Sequence, residues 1–178
     1  MNILKKIPDN SMILSVYAIA VMFVYGWTIY WFIWNFPSWI YYLTISEIIS
    51  IAAYSAVTNL LESMILLCVP LLFALILPSK WVSDRFIAVG ALLVAFAGGL
   101  LIYYAPFFQA ENSFSFAPFY WTPVFFVASL SLAVVLAKIR VVANLVELFA
   151  ERAKIFLYFS IPLSVISIFV VVIQNLTG

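Results

Sequence analysis

Residues 58–77 read TNLLESMILLCVPLLFALIL, an apolar run that carries one carboxylate, Glu62, near its start. A helix rises about 1.5 Å per residue, so this run is long enough to cross the roughly 30 Å hydrocarbon core of a bilayer. The stretch therefore predicts a transmembrane helix. It also raises the question of what an acidic side chain does within one.

The composition of the whole chain is that of a membrane protein. Of its 178 residues, 67% are hydrophobic and 8% are charged, and the mean hydropathy is +1.21. A soluble domain carries about 25% charged residues, so lipid must replace water as the main solvent of this chain. The formal net charge of +1 gives no electrostatic reason to expect a nucleic-acid partner. Membrane lipids are the partners that the composition predicts.

Five segments are apolar enough to span the membrane, each close to the roughly 20 residues that a bilayer core requires. We place them at about residues 12–35, 57–77, 86–105, 121–139 and 155–174. The connections between them are too short to form a separate folded unit. The sequence therefore predicts an all-α fold, a polytopic transmembrane helix bundle that forms a single integral-membrane domain over residues 1–178.

The basic residues indicate the orientation of the spans. They occur in three places along the chain: Lys5 and Lys6; Lys80 and Arg85; Lys138, Arg140, Arg152 and Lys154. With five spans, these three places lie on one side of the membrane, and the alternate connections carry no Lys or Arg. The positive-inside rule then predicts a cytoplasmic N-terminus and an external C-terminus. We expect the protein to be integral to the cell (plasma) membrane.

Residues 44–62, TISEIISIAAYSAVTNLLE, predict where the helix that carries Glu62 begins. Thr44 and Glu47 have the spacing of a capping box, which marks a helix start. A helix from there to Leu77 would be about 50 Å long. Counted from Leu77 at the inner end, Glu62 lies about 23 Å up, a short distance below the outer boundary.

The candidate functional site is a polar intramembrane patch of four residues: Thr58, Asn59, Glu62 and Ser63. Two interpretations stand. The patch lies at the membrane edge, where headgroups or local hydrogen bonds satisfy it. Alternatively, it faces the bundle interior or a subunit contact, because intramembrane acids usually turn away from lipid.

Small residues recur at every fourth position in two consecutive spans, a pattern that allows close approach of helices. They are Ala91, Ala95 and Gly99 in the third span, and Ser129, Ala133 and Ala137 in the fourth. Because a short connection makes consecutive spans antiparallel neighbours, we expect these two faces to pack together. Chance spacing of common membrane residues is the alternative.

Residues 138–154, KIRVVANLVELFAERAK, form an amphipathic connector. Its polar residues share an arc of about 80°: Arg140, Asn144, Glu147, Glu151 and Lys154. The pattern predicts a cytoplasmic helix over about residues 140–153. It lies in the inner membrane interface or binds a partner protein.

Aromatic residues crowd both external connections, at 27–42 and 103–121. One interpretation is an interfacial belt, in which amphipathic rings sit at headgroup depth. The other is a docking surface for another membrane protein or an apolar ligand, since interfaces are also rich in these residues.

No motif in the sequence indicates a reaction. The chain has no histidine, and it lacks the zinc, serine-hydrolase, phosphate-binding and dinucleotide motifs. No span carries a basic residue near its centre, which disfavours an ion-coupled carrier. We therefore predict no catalytic residue, no metal and no cofactor, and we disfavour an enzyme.

Three functions remain, and the first is the one we expect. It is a non-catalytic subunit or an assembly partner within a membrane complex, in contact with other membrane proteins or with itself. The second is a small homo-oligomeric transporter or channel with a polar path near Glu62. The third is a lipid- or quinone-binding protein with a cavity outlined by kinks at Pro70 and Pro162 and by two polar stripes. One of these stripes is the serine stripe of the fifth span: Ser160, Ser164 and Ser167.

Overall fold

The computed structural model describes residues 8–76, 85–108 and 117–177. These ranges form six α-helices, numbered in chain order: α1 (Asn10–Tyr42), α2 (Ile45–Ile76), α3 (Phe86–Phe108), α4 (Thr122–Lys138), α5 (Arg140–Ala153) and α6 (Ile155–Thr177). A short 3-10 helix, Ala117–Trp121, leads into α4. The described ranges contain no β-strand, so the predicted all-α class is confirmed.

Five helical stretches are long and apolar enough to cross a membrane: α1, α2, α3, the 3-10 helix with α4, and α5 continued by α6. The predicted number of spans is confirmed. The first two helices extend well beyond the predicted spans, with 33 residues in α1 and 32 in α2. Each is therefore about 50 Å long. Lys5, Lys6, Leu77, Lys80 and residues 109–116 of the second aromatic connection lie outside the described residues.

The predicted capping box forms the turn between α1 and α2. The Thr44 amide donates to Glu47 Oε2 at 2.7 Å, and the Glu47 amide donates to Thr44 Oγ1 at 3.3 Å. The Leu43 amide ends α1 by donating to the Trp39 carbonyl at 2.7 Å. These bonds satisfy groups that a helix end leaves unpaired. They let the chain reverse within two residues, so α1 and α2 form an antiparallel hairpin.

α1 is the central helix of the bundle, and α2, α3, α5 and α6 all pack against it. Two glycines on α3 allow its close approach to α1. A Cβ built on Gly90 would lie 2.9 Å from Val16 Cγ2, and one built on Gly98 would lie 3.0 Å from Phe23 Cδ1. Because the main force between helices in lipid is close packing, these contacts bring α3 against α1.

α4 lies at the edge of the bundle, where it packs on α3 and α5. An apolar cluster joins these three helices: Ala88, Val89 and Leu93 from α3, Ala133, Val134 and Ala137 from α4, and Ala143 from α5. Arg85 Nη1 donates to the carbonyl of Ala137 in the last turn of α4. A cation there also complements the negative end of the helix dipole.

The predicted connector helix is present as α5, with the bounds expected from its amphipathic pattern. Its small residues Ala143, Ala150 and Ala153 are buried against the bundle. Leu145 and Leu148 are exposed on its outer side. α5 therefore has an inner packing face and an uncovered apolar strip. Which surface covers that strip stays a prediction.

Candidate functional site

The four residues of the predicted polar patch lie on two neighbouring faces of α2. Asn59 and Ser63 are buried, whereas Thr58 and Glu62 are exposed. Successive residues turn by about 100° around a helix, so residues four apart share a face. Asn59 and Ser63 thus lie on the inner face of α2, and Thr58 and Glu62 lie on its outer face.

The inner face of α2 meets polar side chains of α1. Thr28 Oγ1 donates to Asn59 Oδ1 at 2.8 Å. The hydroxyls of Tyr17 and Ser63 lie 3.4 Å apart, and Ser63 Oγ also donates to the Leu60 carbonyl at 2.9 Å. Both inner residues of the patch therefore have partners within the chain.

Tyr25 joins three helices through its hydroxyl. It donates to the carbonyl of Ala56 on α2 at 3.1 Å, and it lies within hydrogen-bond distance of Ser164 Oγ on α6. Ser164 also donates to the Ser160 carbonyl one turn earlier at 2.7 Å. These bonds link α1, α2 and α6 inside the bundle.

We call these interior residues the polar seam: Tyr17, Tyr25 and Thr28 of α1, Asn59 and Ser63 of α2, and Ser164 of α6. Sequence reasoning missed its α1 members. A signal existed, because Tyr17, Tyr25 and Thr28 fall within an arc of about 80° on a helix. The many other aromatic residues of α1 concealed that pattern.

The serine stripe of α6 faces the bundle interior, and its three members are buried. Within the described part of the chain, Ser160 Oγ is the buried side-chain atom that has no hydrogen-bond partner. An unpaired hydroxyl in an apolar environment costs free energy. The stripe thus contributes one bond to the seam, through Ser164, and one unsatisfied group.

A second set of contacts joins α6 to α2 near the C-terminal end of α6. Gln174 Nε2 donates to Ser50 Oγ at 2.7 Å, and Asn175 Nδ2 donates to the Tyr54 hydroxyl at 3.0 Å. Because α6 ends at Thr177, these contacts place Ser50 of α2 level with the C-terminal end of α6.

The same register gives the position of Glu62 along α2. Glu62 follows Ser50 by twelve residues, about 18 Å along the helix. It precedes the end of α2 at Ile76 by fourteen residues, about 21 Å. Glu62 is therefore near the middle of α2, in agreement with the count from Leu77.

The surroundings of Glu62 on the outer face are apolar. Its neighbours Leu61 and Ile65 are 57% and 68% exposed. Thr58 Oγ1, one turn earlier, donates to the Tyr54 carbonyl at 2.9 Å. Glu62 makes no hydrogen bond or ion pair with any residue in 8–76, 85–108 or 117–177. The carboxylate is thus exposed on the outer surface of α2, with no partner among the described residues.

The small residues predicted to pair α3 with α4 separate in the structure. Ala133 and Ala137 are buried in the cluster that α4 shares with α3. Ala91, however, packs in the cluster centred on α1, and Gly99 is exposed with no atom within 4 Å of an added Cβ. The remaining two, Ala95 and Ser129, are partly buried. The two helices touch, but α3 turns a neighbouring face toward α4.

The aromatic residues at the outer part of α1 form ring contacts with each other. Trp39 packs edge-on against Trp31 and Phe32, with ring centroids 5.4 and 5.1 Å apart. Further along the same helix, Tyr41 and Tyr42 are 84% and 86% exposed. This arrangement suits an interfacial belt and a docking surface equally.

Comparison of the chain with protein-family models, curated proteins and solved structures finds no match. Function is therefore inferred from the chemistry of the site. The polar seam is internally bonded and holds helices together. The outer face of α2 presents one unpaired carboxylate, which can bind a donor or a cation from outside the chain.

Proposed function

We propose that the protein is a non-catalytic subunit or assembly partner within a membrane complex, and that it binds another membrane protein through the outer face of α2. This face comprises the exposed residues Tyr54, Thr58, Leu61, Glu62, Ile65 and Cys68. The exposed, unpartnered carboxylate of Glu62 at the middle of a membrane-length helix is the observation that carries the proposal.

The cost of leaving Glu62 in lipid supports this proposal. An acidic side chain at the centre of a transmembrane helix costs roughly 2.5–3.5 kcal/mol on insertion scales. Intramembrane acids are therefore usually turned to a protein interior or a polar partner. Within this chain the interior is taken by the polar seam, and Glu62 points away from it. Covering the outer face with another helix would remove the carboxylate from lipid.

The polar seam favours assembly over transport. Its side chains bond within the chain, as Thr28 does to the Asn59 side chain and Tyr25 to the Ala56 carbonyl. A conducting path needs polar groups that remain available to an ion or solute. The second candidate, a homo-oligomeric transporter or channel, would therefore have to place its path between copies, along the outer face of α2.

We further propose that the N-terminus is cytoplasmic, that the C-terminus is external, and that the chain is one domain integral to the plasma membrane. The hydrogen bond from Arg85 to Ala137 supports this orientation, because it joins the start of α3 to the end of α4 beside Lys138 and Arg140. Cations gathered at one end of a bundle are typical of a cytoplasmic face. A tag fused after Gly178 should be cleaved by protease added to whole cells; protection of the tag until lysis would reverse the orientation.

Mass measurement after gentle solubilisation of native membranes tests the proposed function. We expect the wild-type chain of 20.1 kDa in a larger complex with other proteins. Glu62→Gln should release it from that complex. Glu47→Gln is the matched control, because glutamine also serves at this position of a capping box, and it should leave the complex intact.

Two other measured masses would contradict the proposed function. A wild-type monomer would overturn the proposal. A symmetric complex of this chain alone would support the transporter or channel instead.

A further inference from the structure

We propose that the partner at Glu62 is a transmembrane helix of a different protein that carries a lysine or arginine at matching depth. This inference rests on the proposed function, and it adds the chemistry of the partner. It depends on two observations: Glu62 has no hydrogen bond or ion pair with a described residue, and the helices α1, α2, α3 and α6 contain no Lys or Arg.

The neighbouring polar side chains of α2 offer Glu62 no donor bond. The hydroxyl of Thr58 donates to the Tyr54 carbonyl, and the hydroxyl of Ser63 donates to the Leu60 carbonyl. Asn59 is buried on the inner face, where its carbonyl oxygen accepts from Thr28. In the structure, the carboxylate therefore accepts no hydrogen bond from these side chains of its own helix.

A second copy of this chain could not supply a cation. The helices α1, α2, α3 and α6 contain no Lys or Arg, and α4 contains only Lys138, its last residue. The other cations are Arg85 before α3, Arg140 and Arg152 in α5, Lys154 between α5 and α6, and Lys5, Lys6 and Lys80 outside the described residues. Neither a parallel nor an antiparallel copy would bring a cation to the depth of Glu62. Because no described residue of a second copy supplies a cation there, the partner that we propose is a different protein.

A basic side chain is the chemistry that best matches an unpaired carboxylate in lipid. Charged residues within membranes are usually paired with one another, and an ionised donor makes a shorter and stronger hydrogen bond to a carboxylate than a neutral one. The exposed aliphatic side chains of Leu61 and Ile65 beside Glu62 would pack against the apolar remainder of such a helix. The pair would then be enclosed by aliphatic side chains.

Designed peptides test this inference directly. The probes are three synthetic transmembrane helices of leucine and alanine that differ only in the central residue, which is arginine, glutamine or leucine. The purified full chain, labelled after Gly178, is reconstituted with each labelled peptide in phosphatidylcholine vesicles. Energy transfer between the labels then reports association as a function of peptide density.

We expect the arginine peptide to bind at least ten-fold more tightly than the leucine peptide. This preference should fall below two-fold in Glu62→Gln and persist in Glu47→Gln. Helical circular dichroism and a single gel-filtration peak for Glu62→Gln would show that the variant is folded. If Glu62→Gln failed to fold, Glu62→Asp would be measured instead, and it should keep the arginine preference.

Several outcomes would overturn the inference: equal binding of all three peptides, tighter binding of the glutamine peptide, or an arginine preference that survives in Glu62→Gln. The two proposals fail separately. A native heteromeric complex without an arginine preference contradicts only the basic partner. A wild-type monomer in native membranes contradicts the proposed function, even where the arginine preference is found.

Discussion

The inner and outer faces of α2 carry similar polar residues, but the hydrogen bonding of those residues differs between the two faces. On the inner face, Asn59 is paired with Thr28 of α1, and Ser63 lies against Tyr17. On the outer face, Thr58 is bonded only to its own helix, and Glu62 has no partner in the described chain. Lipid cannot hydrogen-bond a polar group. The inner face is therefore bonded to α1 within the chain, whereas Glu62 on the outer face has no partner among the described residues.

This contrast separates two uses of polarity in a membrane bundle. Interhelical hydrogen bonds in membranes average about 0.6 kcal/mol and reach about 1.7 kcal/mol. The polar seam consequently sets the register of α1, α2 and α6 more than it stabilises them. The carboxylate of Glu62 makes no such bond among the described residues, and the role that we propose for it is in association.

The largest expected effect comes from removing the centre of the polar seam. Tyr25→Ala deletes a buried aromatic ring as well as its hydroxyl, and we expect a loss of about 3–5 kcal/mol in the free energy of unfolding. Tyr25→Phe keeps the ring and should cost about 1–2 kcal/mol. Unfolding in mixed detergent micelles measures both. Similar losses for the two variants would show that the hydroxyl, and not the ring, dominates.

The next effect compares a glycine inside the bundle with one on its surface. Gly90→Ala places a Cβ 2.9 Å from the side chain of Val16, which is buried and stiff at χ1. We expect a loss of about 1–3 kcal/mol from this overpacking. The control Gly99→Ala, with open space around its Cβ, should stay within about 0.5 kcal/mol of wild type.

The same variants test the predicted small-residue contact between α3 and α4. If Gly99→Ala proved as damaging as Gly90→Ala, Gly99 would lie in a helix contact after all.

A smaller effect is expected from one bond of the seam. Thr28→Val keeps the shape of the side chain and removes the donor to Asn59, so unfolding should cost about 0.6–1.7 kcal/mol less than in wild type. In Asn59→Leu the partner is already absent, and adding Thr28→Val should then change little. Additive losses in the double variant would mean that the two side chains do not interact.

The smallest effect on folding is expected on the outer face. Glu62→Leu should change the free energy of unfolding of the isolated chain by no more than about 0.5 kcal/mol. The reason is that Glu62 faces lipid in the folded bundle and in the separated helices alike. The same variant should abolish assembly in native membranes. A loss of stability comparable to that of Tyr25→Ala would place Glu62 in the structural core.

The local features of the fold could be predicted from the sequence. The five apolar stretches follow from length and composition alone, and the capping box of Thr44 and Glu47 follows from a spacing of three residues. The connector α5 follows from its periodic charges. Each depends on residues close together in the chain, so the helix bounds differ from the predicted ones mainly where α1 and α2 run beyond the apolar core.

The rotation and depth of each helix could not be predicted in this way. Apolar faces of a transmembrane helix suit lipid and protein equally, so hydropathy does not reveal which face turns inward. The sequence alone determined that Glu62 lies in a membrane helix. Only the tertiary structure decided that Asn59 turns toward α1, that Gly99 is uncovered and that Glu62 faces outward, because close packing across several helices sets those orientations.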